Sequence, residues 1–166
     1  MQLYMIRHGI AADRGEYAND EDRPLTEEGD RKTAKIAKRL GKMHIHFDLL
    51  LTSPLIRAQQ TAKILQKAGL AEQIQASPHL APSGEIKDWL KLLEPWRSNG
   101  CTSLAIVGHQ PCLGNWAEIL LWGQATDSLA VKKAGIIGLN LPKLGSAIAR
   151  SELFWLTPPK FLLFDT

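Results

Sequence analysis

Three things are scarce in this chain, and each scarcity closes off a class of protein. There are only two cysteines, Cys101 and Cys112, in 166 residues. Their spacing matches no metal or redox motif, so no disulfide framework is expected, and reduced thiols suit a cytoplasmic protein. No apolar run approaches the length that spans a bilayer, and the N-terminus has neither a basic region nor a cleavage site. Neither a membrane partner nor a signal peptide is therefore expected. An excess of charge of one sign is also lacking. The net charge of +3 is too small to point to nucleic acid, although basic side chains gathered in one cleft still attract an anion. Internal repeats, low-complexity segments and long linkers are absent. The length suits a single domain, residues 1–166, and the 45% of hydrophobic residues suffices for one sizeable core.

What the chain has instead is an alternation of short apolar runs and amphipathic stretches. Leu3-Tyr4-Met5-Ile6 runs into Arg7-His8-Gly9, which reads as a buried strand ended by a glycine where the backbone turns. The polar segment Asp13 to Arg23 reads as a surface loop. It is either simply solvated or, following Arg7-His8 directly, a wall of the site they make. Thr26 is a helix N-cap with Glu27, Glu28 and Asp30 in the positive first turn. Thr33, Ile36, Ala37 and Leu40 form that helix's apolar face, and Gly41 terminates it. Leu49-Leu50-Leu51 lies in a second buried strand. Ser53-Pro54 then supplies an N-cap and a first helical residue to a helix with Ala58, Thr61, Ala62 and Leu65 on one face. Ile74 to Ser77 is a weak third strand. A helix runs from about Glu85 until Pro95 disturbs its end, and Ser103 to Val107 is a fourth strand leading into a helix closed by Gly123. In the last third, Ala134 to Leu141 and Ala147 to Leu156 predict an antiparallel hairpin turning at Gly145. The apolar tail Phe161 to Phe164 is expected to cover a sheet edge or flank.

Strands alternating with helices imply an α/β fold. The expected architecture is a three-layer sandwich: a mostly parallel central sheet, helices on both faces and a C-terminal antiparallel hairpin. The single short connection between the third and fourth strands leaves no room for a cap subdomain. A parallel sheet gathers its strands' carboxyl ends along one edge, where ligands bind. That edge would bring together Arg7 and His8 from the first strand, Arg57 from the helix after the second, and His109 from the end of the fourth. Arg57 is informative by itself. A cation in a helix's first turn opposes the helix dipole, and either a bound anion or a nearby carboxylate would account for it. Two arginines and two histidines in one crevice can hold a dianion. Phosphoryl transfer asks for little more than positioning and charge stabilisation, and a neutral imidazole can be the nucleophile.

At these residues the chain resembles a known family. Leu3 to Gly9 looks like the Arg-His-Gly motif of the histidine phosphatase superfamily. Leu51-Thr52-Ser53-Pro54-Leu55-Ile56-Arg57-Ala58-Gln59-Gln60-Thr61-Ala62 is similar to its second signature, and Val107-Gly108-His109-Gln110-Pro111 to its third. Arg23-Pro24-Leu25-Thr26 with Gly29 fits as well. The short, capless chain and Trp155-Leu156-Thr157-Pro158-Pro159 resemble the small phosphohistidine phosphatases of the SixA type. The resemblance implies that His8 is phosphorylated and that Arg7, Arg57 and His109 hold the phosphate, with Arg23 added to the substrate-binding set. It offers only Glu85 as a general acid, a residue that surface helix capping explains equally well.

The function so implied is a phosphatase working through a phosphohistidine intermediate, without cofactor or metal. Its expected partner is a phosphorylated histidine on a signalling protein such as a phosphotransfer domain, and it is expected to be a monomer. The alternative within enzymes is a phosphatase of a small phosphoester or phosphosugar. From another class, a phosphate-binding module without turnover is also possible in principle, although the intact Arg7-His8 pair and His109 argue against it. His44 and His46 have a spacing that can bind zinc on a strand, but no third ligand is apparent, so no metal site is expected.

Overall fold

The computed structural model describes residues 1–164. Its central strand, β1 (Gln2–Arg7), pairs on both sides. The other strands are β2 (Leu49–Thr52), β3 (Ile74–Ala76), β4 (Ser103–Gly108), β5 (Ile136–Asn140) and β6 (Glu152–Thr157). Their order across the sheet is β3-β2-β4-β1-β5-β6. The pairs β2–β3, β2–β4 and β1–β4 are parallel, whereas β1–β5 and β5–β6 are antiparallel. The four α-helices among the described residues are α1 (Glu27–Lys42), α2 (Ile56–Lys67), α3 (Ile86–Ser98) and α4 (Cys112–Trp122). The expected α/β architecture, without a cap, is the one observed: β3 and β4 are joined only by a short 3₁₀ turn (Pro78–Leu80) and α3.

The layers follow from alternation along β1, because successive side chains of a strand point to opposite faces. Leu3 and Met5 pack with Trp89, Leu93, Leu113 and Trp116 from α3 and α4. Tyr4 and Ile6 pack with Ile36, Leu40, Ala58 and Leu65 from α1 and α2. A strand covered on both faces reads as a continuous apolar run, which is why the alternation is invisible in the sequence. Parallel register then aligns the strand ends. Arg7 lies opposite Gly108, and Thr52 and Ile6 both lie opposite Val107, so residues just beyond these positions emerge at one level.

Several boundaries differ from the sequence reading. Helix α1 runs one residue past Gly41, to Lys42. Ser53-Pro54 does not start α2; Leu55, in extended conformation, precedes its first residue. Ser53 is fully buried, and its hydroxyl accepts the Leu55 N–H at 3.3 Å. Helix α3 continues through Pro95 to Ser98, and the Pro95 carbonyl accepts from Asn99 N–H. The closing hairpin is not tight, since β6 begins only at Glu152. Residues 141–151 make an excursion in which Ala149 and Ser151 donate their N–H groups to the carbonyls of Ile119 and Leu120. Those carbonyls belong to the last turn of α4, where helical N–H donors run out; Ile119 also accepts the Gly123 N–H at 2.9 Å. In the tail, Leu162 is buried, while Phe161 and Phe164 are exposed.

The start of α1 is pressed against the segment leaving β1. Thr26 caps the helix, its hydroxyl accepting Gly29 N–H at 3.0 Å, and Thr26 N–H donates to the Ile10 carbonyl at 2.9 Å. A Cβ on Gly29 would lie 2.0 Å from the Ile10 oxygen. Glycine inside a helix ordinarily costs stability relative to alanine; here the sign reverses. Gly29→Ala is expected to destabilise the protein by about 1–3 kcal/mol through overpacking. Urea unfolding checks it, and a more stable variant would show that the helix can draw back from Ile10.

Candidate active site

Where the strand ends meet, a pocket of about 370 Å³ opens. His8, immediately after β1, is 95% buried at its base (5% exposed). Its Nδ1 lies 2.7 Å from the Gly9 carbonyl oxygen. A carbonyl can only accept, so Nδ1 carries the proton and Nε2 keeps its lone pair. Burial, above all, pushes the pKa of His8 down to about 2, with His109, Arg57 and Arg7 adding repulsion against the Gly9 bond. The ring is therefore neutral and nucleophilic at Nε2.

His109, just past β4, stands with its ring centre 5.1 Å from that of His8. Burial and Arg57 push its pKa down to about 4. Its Nε2 is 2.8 Å from the Ser53 hydroxyl, while its Nδ1 is buried without a partner. Arg7 donates from Nη1 to the Val131 carbonyl at 2.8 Å, and the Nε atoms of Arg7 and Arg57 are likewise buried and unpartnered. Unsatisfied buried polar atoms call for an explanation, and all three belong to side chains facing this pocket.

The nearby carboxylate that would account for Arg57 is present. Arg57 Nη2 donates to Asp20 Oδ2 at 2.7 Å and its Nη1 to the Asp20 carbonyl at 2.5 Å. Arg23, buried, binds Asp20 Oδ1 through Nε at 2.9 Å and Nη2 at 2.7 Å, and donates from Nη1 to the Ala12 carbonyl at 2.7 Å. Burial works to raise the Asp20 carboxyl, but Arg57 and Arg23 outweigh it and hold it below the usual range. The carboxylate pre-orients two guanidinium groups without neutralising the pocket: among the described residues, Arg7, Arg14, Arg23, Arg57 and Lys133 face this one acid. The site is built for an anion. The segment 13–23 does form one wall, through Arg14, Asp20 and Arg23.

Of the sequence-derived candidates, Arg7, His8, Arg23, Arg57 and His109 are brought together. Glu85 is not among the residues lining the pocket. It is exposed at the residue before α3, its charge bearing on Cys112, and Pro82 is the part of that connection that reaches the pocket wall. His44 and His46 are exposed, and no group of three or more His, Cys, Asp or Glu among the described residues is placed to hold a metal ion.

Comparison with known proteins meets this geometry. The family model of the histidine phosphatase superfamily (branch 1) matches residues 3–82. The phosphohistidine phosphatase SixA of Escherichia coli is 30% identical over 144 residues, 84% of this chain and 86% of that one. The chain belongs to the histidine phosphatase superfamily. An uncharacterized protein of Picosynechococcus is 49% identical over 98% of this chain and 99% of its own length. A solved structure of the protein histidine phosphatase SixA complexed with tungstate superposes with a TM-score of 0.86 at 26% identity, covering 98% of this chain and 99% of that one. The α-ribazole phosphatase of Shigella flexneri shares the fold (TM-score 0.71, 18% identity, 96% of this chain and 97% of that one).

Sequence reasoning missed the supports of this histidine phosphatase site. Asp20 lay hidden in a loop read only by polarity; the run Asp20-Glu21-Asp22 before Arg23 was the available signal. Gln110 accepts Val131 N–H at Oε1 (3.2 Å) and donates from Nε2 to the Leu129 carbonyl (3.0 Å). It thereby holds the segment whose carbonyl fixes Arg7. Buried Glu118 holds the same segment by accepting the N–H groups of Thr126, Ser128 and Leu129. Thr61, in the Gln-Thr-Ala run, accepts Gly9 N–H at 3.1 Å.

The neutral histidines set the acid response. Both have native pKa values, about 2 and about 4, below the value near 6.5 of an unfolded histidine. The unfolded chain therefore binds more protons below pH 6.5. Stability from the neutral rings is complete above pH 6.5 and is lost as pH falls, at about 1.4 kcal/mol per pH unit for each ring. Urea unfolding between pH 7.5 and 4.5 is expected to show this decline, shallower in His8→Gln. An unchanged slope in that variant would show that His8 is not held neutral.

Proposed function

We propose that the protein is a metal-independent phosphohistidine phosphatase that removes the phosphoryl group from a histidine on a signalling protein. The observation that carries this reading is the tautomer of His8: Nδ1–H is tied to the Gly9 carbonyl, leaving Nε2 as a nucleophile among cationic side chains. In the reading, Nε2 attacks phosphorus, a new P–N bond forms, and the bond to the substrate's imidazole breaks. The phosphorylated His8 ring carries positive charge, which the Gly9 carbonyl stabilises through Nδ1–H. Arg7, Arg57 and Arg23 face the phosphoryl oxygens, and forked donors suit such oxygens. If Ser53 donates to His109 Nε2, the proton of His109 sits on Nδ1 and is available to the same oxygens. Water then attacks phosphorus, the P–Nε2 bond breaks to leave His8 neutral with its proton on Nδ1, and the water's protons leave with inorganic phosphate. The positive charge comes from side chains, so the reading needs no metal. The SixA relative is a phosphohistidine phosphatase, and its match over 84% of this chain supports the substrate class.

The test is capture of acid-labile, alkali-stable phosphate on the protein. His8→Ala is expected to abolish labelling and to lower turnover by about 10³-fold or more, while chelator leaves the wild type unaffected. Labelling retained in His8→Ala would remove His8 from the nucleophile's role.

The exposed position of Glu85 bears on the alternative, a small phosphoester. An alkoxide leaves poorly unless it is protonated as the bond breaks, whereas an imidazole with an ordinary pKa of about 6.5 leaves as a neutral molecule once its other nitrogen is protonated. A phosphohistidine phosphatase can thus work without a well-placed acid. Glu85→Gln is expected to leave kcat/KM for a phosphohistidine protein within about twofold and to slow an alkyl phosphate more. Equal, large losses on both would make Glu85 a general acid and favour the phosphoester reading.

A further inference from the structure

A second groove, of about 560 Å³, lies beside the catalytic pocket. Its floor is apolar, with Ile36 from α1 and Ile10 and Ala134 from the segments after β1 and before β5; Pro158 and Pro159 form a wall. Prolines make that wall rigid, so little ordering is lost when something packs on it. Four ammonium groups surround it: Lys32, Lys132, Lys133 and Lys160. Lys32 shares its charge with Glu28 at 2.5 Å, and Lys133 feels Asp13. No carboxylate lines the groove among the described residues.

The groove is continuous with the active site. Lys133 lines both cavities. Ile10 follows His8 by two residues, at most about 7 Å of chain. On a helix, side chains three or four residues apart are about 5–6 Å apart, and seven residues span about 10 Å. A helix presenting its phosphohistidine to His8 and running toward Lys133 would lay its neighbouring turns over this groove.

We propose that the groove docks the protein carrying the phosphorylated histidine, by receiving an apolar side chain of that partner flanked by carboxylates. The proposal rests on the phosphohistidine reading above and adds how such a substrate is chosen: the lysines read carboxylates and the floor takes the apolar side chain. Charge around an apolar anchor sets specificity and encounter rate more than raw affinity.

The test compares three phosphorylated probes. Two are alanine-rich helical peptides of about 20 residues with a central phosphohistidine. One carries Leu four residues on and Glu three and seven residues on; the other has Ala and Gln there. The third probe is free phosphohistidine. The wild type is expected to turn over the acidic peptide with a kcat/KM about tenfold above the neutral one. Combining Lys32→Gln with Lys160→Glu is expected to erase that advantage, leaving free phosphohistidine within about twofold, since neither side chain lines the catalytic pocket. Equal rates on the two peptides in the wild type, or a variant that slows all three probes alike, overturn the docking proposal. So does binding of phosphatidylserine vesicles through these lysines without discrimination between the peptides, because the groove would then face lipid. If free phosphohistidine is turned over but the peptides are not distinguished, only docking falls. If no probe is turned over, the phosphohistidine reading falls and docking falls with it.

Discussion

A buried imidazole has to stay uncharged while surrounded by guanidinium groups. The 2.7 Å bond between Nδ1 of His8 and the Gly9 carbonyl meets that constraint by assigning the proton to the nitrogen that faces the protein. Burial and neighbouring positive charge keep a second proton off the ring. The same conditions would drive the arginines apart and out toward water if nothing held them. Main-chain oxygens hold them instead: Val131 for Arg7, Ala12 for Arg23 and Asp20 for Arg57. Among the described residues the Asp20 carboxylate is the one acid lining the pocket, and it binds two guanidinium groups at once. The pocket thus remains electropositive and ordered before any anion arrives, as stabilisation of a highly charged transition state requires.

Those oxygens are placed by a chain of supports reaching well outside the pocket. Parallel pairing brings the ends of β1, β2 and β4 to one level. Gln110 and Glu118 pin the 126–131 segment, and that segment presents the carbonyl for Arg7. On the opposite side, Gln60 accepts Leu25 N–H at 2.6 Å and Thr61 accepts Gly9 N–H at 3.1 Å. Helix α2 therefore carries a pocket-lining arginine and also fastens the two segments flanking it. A site built this way is rigid at its base and open above, because no inserted domain lies between β3 and β4. The lysine-rimmed groove beside it extends the anion-attracting face beyond the catalytic pocket.

Much of the catalytic centre was legible in the chain because its signals are local. An apolar run ending in Arg-His-Gly states both that a strand is buried and what stands at its end. A cation in the first turn of α2 is unfavourable by itself, so Arg57 announces an interaction beyond its own helix. Alternating strands and helices dictate a parallel sheet, and a parallel sheet gathers its carboxyl ends. Arg7, His8, Arg57 and His109 could be brought together on that ground alone. Ser53 shows where local signals mislead. Its type and position before a helix suggested a cap, yet it is buried and bonded to His109, because the helix begins later, at Ile56.

Tertiary structure alone decided the rest. Asp20 belongs to a loop without periodicity, and its pairing with both Arg57 and Arg23 depends on where that loop folds back in space. Gln110 and Glu118 act through a segment up to 21 residues away in the chain. The second groove joins α1 to residues 132–134 and 158–163, which are brought together only by the docking of elements on the sheet. Hydrophobic periodicity reports which way a side chain faces within its own helix or strand. It carries no information about which distant loop will lie against it. The sequence by itself determined the sheet, its ligand-binding edge and the four residues at its heart; through-space packing of irregular segments decided what orients those residues and what surrounds them.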